Sequence, residues 1–147
     1  MPLTELQGEV AAGVKFWAYD EDGALVGVMG IQPRSPLRDV PGTLCEPMQD
    51  VDLIRHAYVL PSHQRRGVGG ALLEHIRRLS GTRILIGTWA AATWAIDFYQ
   101  RHGFKAASSE EKEVLLRTYW TIPNRQIETS IVLANPPIGA TVVATET

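Results

Sequence analysis

Between Val51 and Gly103 the hydrophobic pattern switches from strand to helix, back to strand and into a second helix, and this order restricts the fold more than any other feature. Val51 to Leu60 (VDLIRHAYVL) is an apolar, β-branched run ended by Pro61-Ser62. Apolar residues then recur at Val68, Leu72, Ile76 and Leu79, lining one face of a helix that closes at Ser80-Gly81. Arg77 and Arg78 fall in its last turn, where cations suit the helix dipole. Arg83 to Trp89 reads as a strand and about Ala91 to His102 as a helix stopped by Gly103. Strand, crossover helix and strand in this order predict an α/β fold with a mixed sheet, at least one parallel pair and a helix packed on it.

The flanks are less regular. Val14 to Tyr19 and Ala24 to Gln32 are short apolar runs joined through Asp20-Glu21-Asp22-Gly23, which predicts a hairpin because Asp-Gly supplies the positive φ angles of a tight turn. From Pro33 to Asp50 the pattern fails at Pro33, Pro36, Pro41 and Pro47, giving a long loop. Ser108 and Ser109 precede Glu111 and Lys112 in a capping-box arrangement, so about Ser109 to Trp120 is expected to be helical. Pro123 ends it, Gln126 to Ala134 reads as a final strand, and the tail from Asn135 is expected to fray or to pack on a neighbour.

A chain of 147 residues with 45% hydrophobic and 20% charged residues fits one compact domain spanning 1–147. Its formal net charge of −2 supplies no field favouring nucleic acid or an anionic membrane, despite Arg65, Arg66, Arg77 and Arg78. Met1 to Gly13 lacks the charged start and apolar core of a secretion signal, and no run reaches membrane-spanning length. The lone Cys45 has no disulfide partner within the chain, which together with these features predicts a cytoplasmic protein. His63, His75 and His102 show no metal-ligand spacing and read as surface residues, so no metal is expected.

The turn that joins the first strand to its helix, Gln64-Arg65-Arg66-Gly67-Val68-Gly69-Gly70-Ala71, concentrates the chemistry. Amides at a helix start lack intrahelical partners and point the same way, and glycines allow an anion to approach them closely. Two glycines alone fit a ligand-free tight turn equally well. No Lys-Ser/Thr pair follows them, and Gly67-Val68-Gly69 is too short for the dinucleotide fingerprint.

Gln64-Arg65-Arg66-Gly67-Val68-Gly69 resembles the Q/R-x-x-G-x-G/A signature of the GNAT superfamily of acyl-CoA-dependent N-acyltransferases, and Tyr58-Val59-Leu60-Pro61 resembles that family's strand end. Ala95, Tyr99, Gly103 and Phe104 are similar to its A-x-x-x-Y-x-x-x-G-F pattern, so the likeness covers about 51–104. It implies a fold whose two central parallel strands splay apart, with acetyl-CoA as cosubstrate in the gap. The pyrophosphate would sit on the amides of Gln64 to Ala71, and the pantetheine arm would pair with the backbone of Tyr58, Val59 and Leu60. Arg65 and Arg66 either reinforce the phosphates or remain a solvated basic turn.

The resemblance assigns Tyr99 as the proton donor to the leaving CoA sulfur, against the plainer reading of a core tyrosine. A backbone N–H within Tyr58 to Leu60 is the natural oxyanion donor. The base stays open among Glu46, Asp52 and His56, the last also readable as a buried structural histidine. Three departures stand out: only about thirteen residues precede the first apolar run, Ala92 replaces a frequent asparagine, and a helix is expected at 109–120 where strands are usual. With the shortened N-terminal part, the loop 33–50, the C-terminal segment or a second subunit of a homodimer would have to wall the acceptor pocket. The expected function is acetyl transfer to a primary amine of a small molecule or peptide, and the alternative is a non-catalytic acyl-CoA-binding regulatory module.

Overall fold

The computed structural model describes residues 3–6, 13–38, 49–64 and 67–138. They form two compact units, each assembled from separate stretches of chain: residues 1–33 with 52–82, and 34–51 with 83–147.

The first unit holds the strands β1 (Leu3–Leu6), β2 (Lys15–Glu21), β3 (Ala24–Arg34) and β4 (Val51–Val59), adjacent in that order, and the helix α1 (Val68–Leu79). The β2–β3 hairpin closes as the sequence predicts: Asp22 and Gly23 take φ of 53° and 85°, and the Asp20 carboxylate accepts from the Gly23 amide. The short strand β1 pairs antiparallel with β2, Leu3 opposite Tyr19 and Leu6 opposite Phe16. The sequence reading started the first strand at Val14 and missed β1. Four residues carry too little periodicity to show a strand whose stability comes from its partner.

Helix α1 buries Val68, Leu72, Leu73 and Ile76, whereas Leu79 at its last position is 55% exposed. The helix rests on the first unit's sheet at two visible points. A Cβ on Gly27 of β3 would stand 2.7 Å from Val68 Cγ1. The ring of His75, which is part-exposed, meets Trp17 of β2 edge to face with centroids 5.7 Å apart.

The second unit holds β5 (Ile84–Trp89), α2 (Thr93–Arg101), β6 (Lys105–Ala106), α3 (Ser109–Tyr119), α4 (Asn124–Thr129) and β7 (Ser130–Asn135). Strand β7 lies between β5 and β6 and is antiparallel to both. Ile84, Leu85, Ile86, Val132, Leu133 and Ala134 form the buried sheet centre, with Leu115, Leu116 and Tyr119 of α3 also buried. The capping box is present: Ser108 Oγ accepts from the Glu111 amide while the Glu111 carboxylate accepts from the Ser108 amide. Helix α3 thus stands where strands are usual.

The expected strand at 126–134 is instead half helix. Asn124 to Thr129 form a short helix behind Pro123, and only from Ser130 does the chain extend. Along Asn124 to Thr129 only Ile127 is apolar and buried, so this stretch lacks the alternation a half-buried strand needs. The described start of the tail is fastened, since Arg83 donates to the carbonyls of Pro136 and Pro137. No helix among the described residues is long and apolar enough to cross a membrane.

Candidate functional site

In the first unit, β4 runs into a single 3-10 turn, Pro61–His63, and then into the start of α1. Several bonds hold this approach. The Leu60 amide donates to the Val26 carbonyl at 2.9 Å, the Gln64 amide to the Pro61 carbonyl at 3.4 Å, and Gln64 Nε2 to the Val59 carbonyl at 3.1 Å. His63 was expected to be a surface residue. It is half-buried and bridges the Glu21 carboxylate at 2.7 Å and the Ser62 hydroxyl at 2.8 Å, tying the turn to the end of β2.

Gly67 is the N-cap of α1, with φ of 84° and open space where a Cβ would stand. This left-handed angle strongly favours glycine. The first intrahelical bond runs from the Ala71 amide to the Gly67 carbonyl at 3.0 Å. The amides of Val68, Gly69 and Gly70 therefore precede the ladder, and among the described residues none is capped by a side chain. No acidic residue stands in the first turn to repel an anion. The span of Gln64 to Ala71 expected to hold a diphosphate thus narrows. Gln64 and Ala71 have committed their amides, Arg65 and Arg66 lie outside the described residues, and Gly67 to Gly70 remain.

Gly27, which the sequence reading treated as an ordinary strand residue, lets the first turn of α1 approach β3 this closely. An isolated glycine inside a strand pattern is the signal that pointed to it.

The strand end is likewise reduced. Leu60 spends its N–H on Val26, so it is not the free donor expected for an oxyanion or a pantetheine arm, while Tyr58 is 55% exposed. Asp52 sits at the opposite end of β4 from Val59, seven residues and about 23 Å away at 3.3 Å per residue. Its carboxylate accepts from Ser80 Oγ at 2.5 Å and from Thr82 Oγ1 at 3.5 Å, fixing the chain where α1 ends. Asp52, one of the three candidate bases, thus lies at the far end of β4 from the glycine turn. His56 lies within β4, its side chain outside the described residues, and Glu46 and Cys45 also lie outside them.

In the second unit, Tyr99 is on the buried side of α2 with 7% exposure. Its ring meets Phe98 and Phe104 edge to face, with centroids 5.1 and 5.8 Å away, and burial pushes the phenol up to about 12. The group is therefore a neutral hydroxyl across the physiological range. Ala92, in the place of the expected asparagine, is the N-cap of α2, is 8% exposed and supplies no capping side chain. Gly103 ends the helix with φ of 93°, turning the chain toward the buried Phe104. Among the described residues no cluster of His, Cys, Asp or Glu has metal-binding geometry.

The sequence profile of the Acetyltransferase (GNAT) domain matches residues 12–106. No curated protein matches the sequence. Solved structures share the fold at low identity. The Bacillus subtilis N-acetyltransferase YlbP, in complex with coenzyme A, has 18% identity and a TM-score of 0.55 over 81% of this chain and 65% of its own. Arabidopsis thaliana NAA60, with a bisubstrate analogue, has 14% identity and a TM-score of 0.56 over 84% and 75%. The Escherichia coli ribosomal-protein-S18-alanine N-acetyltransferase has 19% identity and a TM-score of 0.54 over 92% and 74%. The chain spans 65% of the length of YlbP and 60% of that of the Thermoplasma acidophilum PaiA enzyme. With the profile covering well over half of its length, the chain belongs to the GNAT acetyltransferase domain family.

Proposed function

We propose that this protein transfers an acetyl group from acetyl-CoA to a primary amine by direct attack. The observation that carries the reading is the start of α1, where Gly67 turns left-handed and the amides of Val68, Gly69 and Gly70 stand uncapped without a nearby acidic side chain. Such a terminus favours a diphosphate through both its hydrogen-bond donors and its dipole. Gln64 and His63 serve it by holding the approach to the turn rather than by touching the cosubstrate. Backbone donors alternate along an extended strand, so with the Leu60 amide committed to β3, Val59 is the member of the trio whose N–H faces the other way. Val59 is our candidate for the pantetheine or oxyanion contact.

In the reaction the amine lone pair attacks the thioester carbonyl carbon and forms the new C–N bond. The C–S bond then breaks and its electron pair leaves on sulfur. Nitrogen loses one proton and sulfur gains one, so the products are an amide and a free thiol. Tyr99 donates a hydrogen bond from its hydroxyl to the departing sulfur. With a phenol near 12 and an ordinary thiol near 8.5, full transfer costs about 5 kcal/mol. The hydrogen bond to the developing thiolate is then the larger contribution, and the proton from nitrogen restores the balance through water. Asp52 is assigned no part in these steps, which leaves His56 and Glu46 as candidate bases. A compartment holding acetyl-CoA is required, in keeping with a cytoplasmic location.

Calorimetric titration with CoA and thiol release over an amine panel test the reading, with Tyr99→Phe as control. Saturable CoA binding and release that collapses in the variant support it. Binding without turnover on any amine would instead identify a non-catalytic acyl-CoA-binding module, and no binding would end both.

A further inference from the structure

A concavity lying wholly within the second unit has a volume of about 270 Å³ against the end of β5. Its floor is Gly87, over which the Trp120 indole lies so closely that a Cβ on the glycine would stand 3.1 Å from Cζ2. Leu116 and Ile122 add apolar wall, and Trp89, 64% exposed, stands at the rim. No charged residue lines it among the described residues. Ser130 also lines it, is only 8% exposed, and among the described residues its hydroxyl has no hydrogen-bond partner. Ser130 is opposite Trp89 in the β5–β7 register, and Gly87 is two residues before Trp89, so these three share the sheet face that Trp120 covers. A buried hydroxyl left unpaired beside an open space is costly unless a ligand or water satisfies it.

Resting on the acetyl-transfer reading above, we propose that this cavity seats the acceptor, and that the acceptor is an amine a short chain away from an uncharged aromatic ring bearing a hydrogen-bonding substituent. The indole of Trp120 and the bare floor at Gly87 suit a flat ring. The Ser130 hydroxyl matches one polar substituent. A polycation would find no carboxylate here to offset the loss of its hydration. The end of β5 that lines the cavity continues through Ala90 to Ala92 into the helix that carries Tyr99, and the Ala90 amide donates to the Thr129 carbonyl of α4.

The test uses the full chain with acetyl-CoA and tyramine, 2-phenylethylamine, n-butylamine, spermidine and a tyrosine-initiated dipeptide amide. Tyramine is expected to show a KM about tenfold or more below that of n-butylamine. Ser130→Ala is expected to raise the tyramine KM about fivefold while leaving 2-phenylethylamine and CoA affinity unchanged. Gly87→Val should weaken both aromatic amines by pushing the Trp120 indole from its place over the strand. Preference for the dipeptide amide over tyramine would support the same ring chemistry on a peptide N-terminus. Equal KM values for tyramine and n-butylamine, preference for spermidine, or indifference of tyramine to Ser130→Ala would overturn the assignment. Should CoA fail to bind, the acetyl-transfer reading falls. A saturable change of indole fluorescence on titration with tyramine, shifted to about fivefold higher concentration in Ser130→Ala, then supports the cavity separately, and no saturable change overturns it.

Discussion

Two residues show how far side-chain identity alone carries chemistry. Tyr99 is buried as the core reading requires, and that same burial makes it the neutral hydroxyl that a donor to sulfur must be. Spacing therefore could not separate the two readings, because one environment satisfies both. Tyr99→Phe keeps the packing and removes the hydroxyl, so thiol release should fall by about 10²–10⁴-fold with CoA affinity intact. The folded phenol titrates near 12 against an ordinary value near 10. Because folding raises this pKa, its contribution to stability is complete below pH 10 and is lost as pH rises toward 12, by roughly 2–3 kcal/mol. Denaturant melts across that window should show the loss in the parent protein and not in Tyr99→Phe. Gly67 poses the converse case, since open space surrounds it and only its φ of 84° selects glycine. Gly67→Ala should cost about 1–2 kcal/mol of stability, read by urea midpoint, from backbone strain alone.

At the scale of elements, the sequence announced what local chemistry determines. The Asp22-Gly23 turn, the capping box at Ser108 and Glu111, and helix α1 with its stop at Ser80 all follow from short-range rules. What stayed hidden depends on partners distant in the chain. Strand β1 exists through β2, β6 is two residues long, and the Gln126 to Thr129 stretch was assigned by its neighbours' apolar character. Asp52 belongs to the same class: its position on the strand suggested a base, and only the arrival of Ser80 at the end of α1 shows its use. Asp52→Asn should therefore lower the thermal midpoint while leaving kcat within about twofold, whereas a base would lose about 10²-fold or more. Gly27 positions the glycine turn from outside it. Gly27→Val would drive a side chain into Val68, costing about 1–3 kcal/mol by overpacking and weakening CoA binding by displacing the helix start.

At the scale of the whole molecule, net charge bears on how the proposed anionic cosubstrate would be captured. The chain carries a formal net charge of −2, so no long-range field draws CoA in, and the attraction has to be local. Two local sources are available with different physical signatures. Main-chain amides at the start of α1 act through directed hydrogen bonds at contact distance, which salt screens weakly. Charge attraction to the guanidinium groups of Arg65 and Arg66 is the other source, and free charge–charge attraction is screened by salt over about 10 Å at 0.1 M. Because Gly67 to Gly70 supply the geometry, the amides are expected to dominate. Raising salt from about 20 to 300 mM should then weaken CoA binding by less than about tenfold in calorimetric titrations. Arg65→Ala combined with Arg66→Ala should remove most of that salt dependence while leaving measurable affinity. A parent protein losing 100-fold or more over the same range, or a double variant with no binding, would transfer the primary role from the backbone to the arginines.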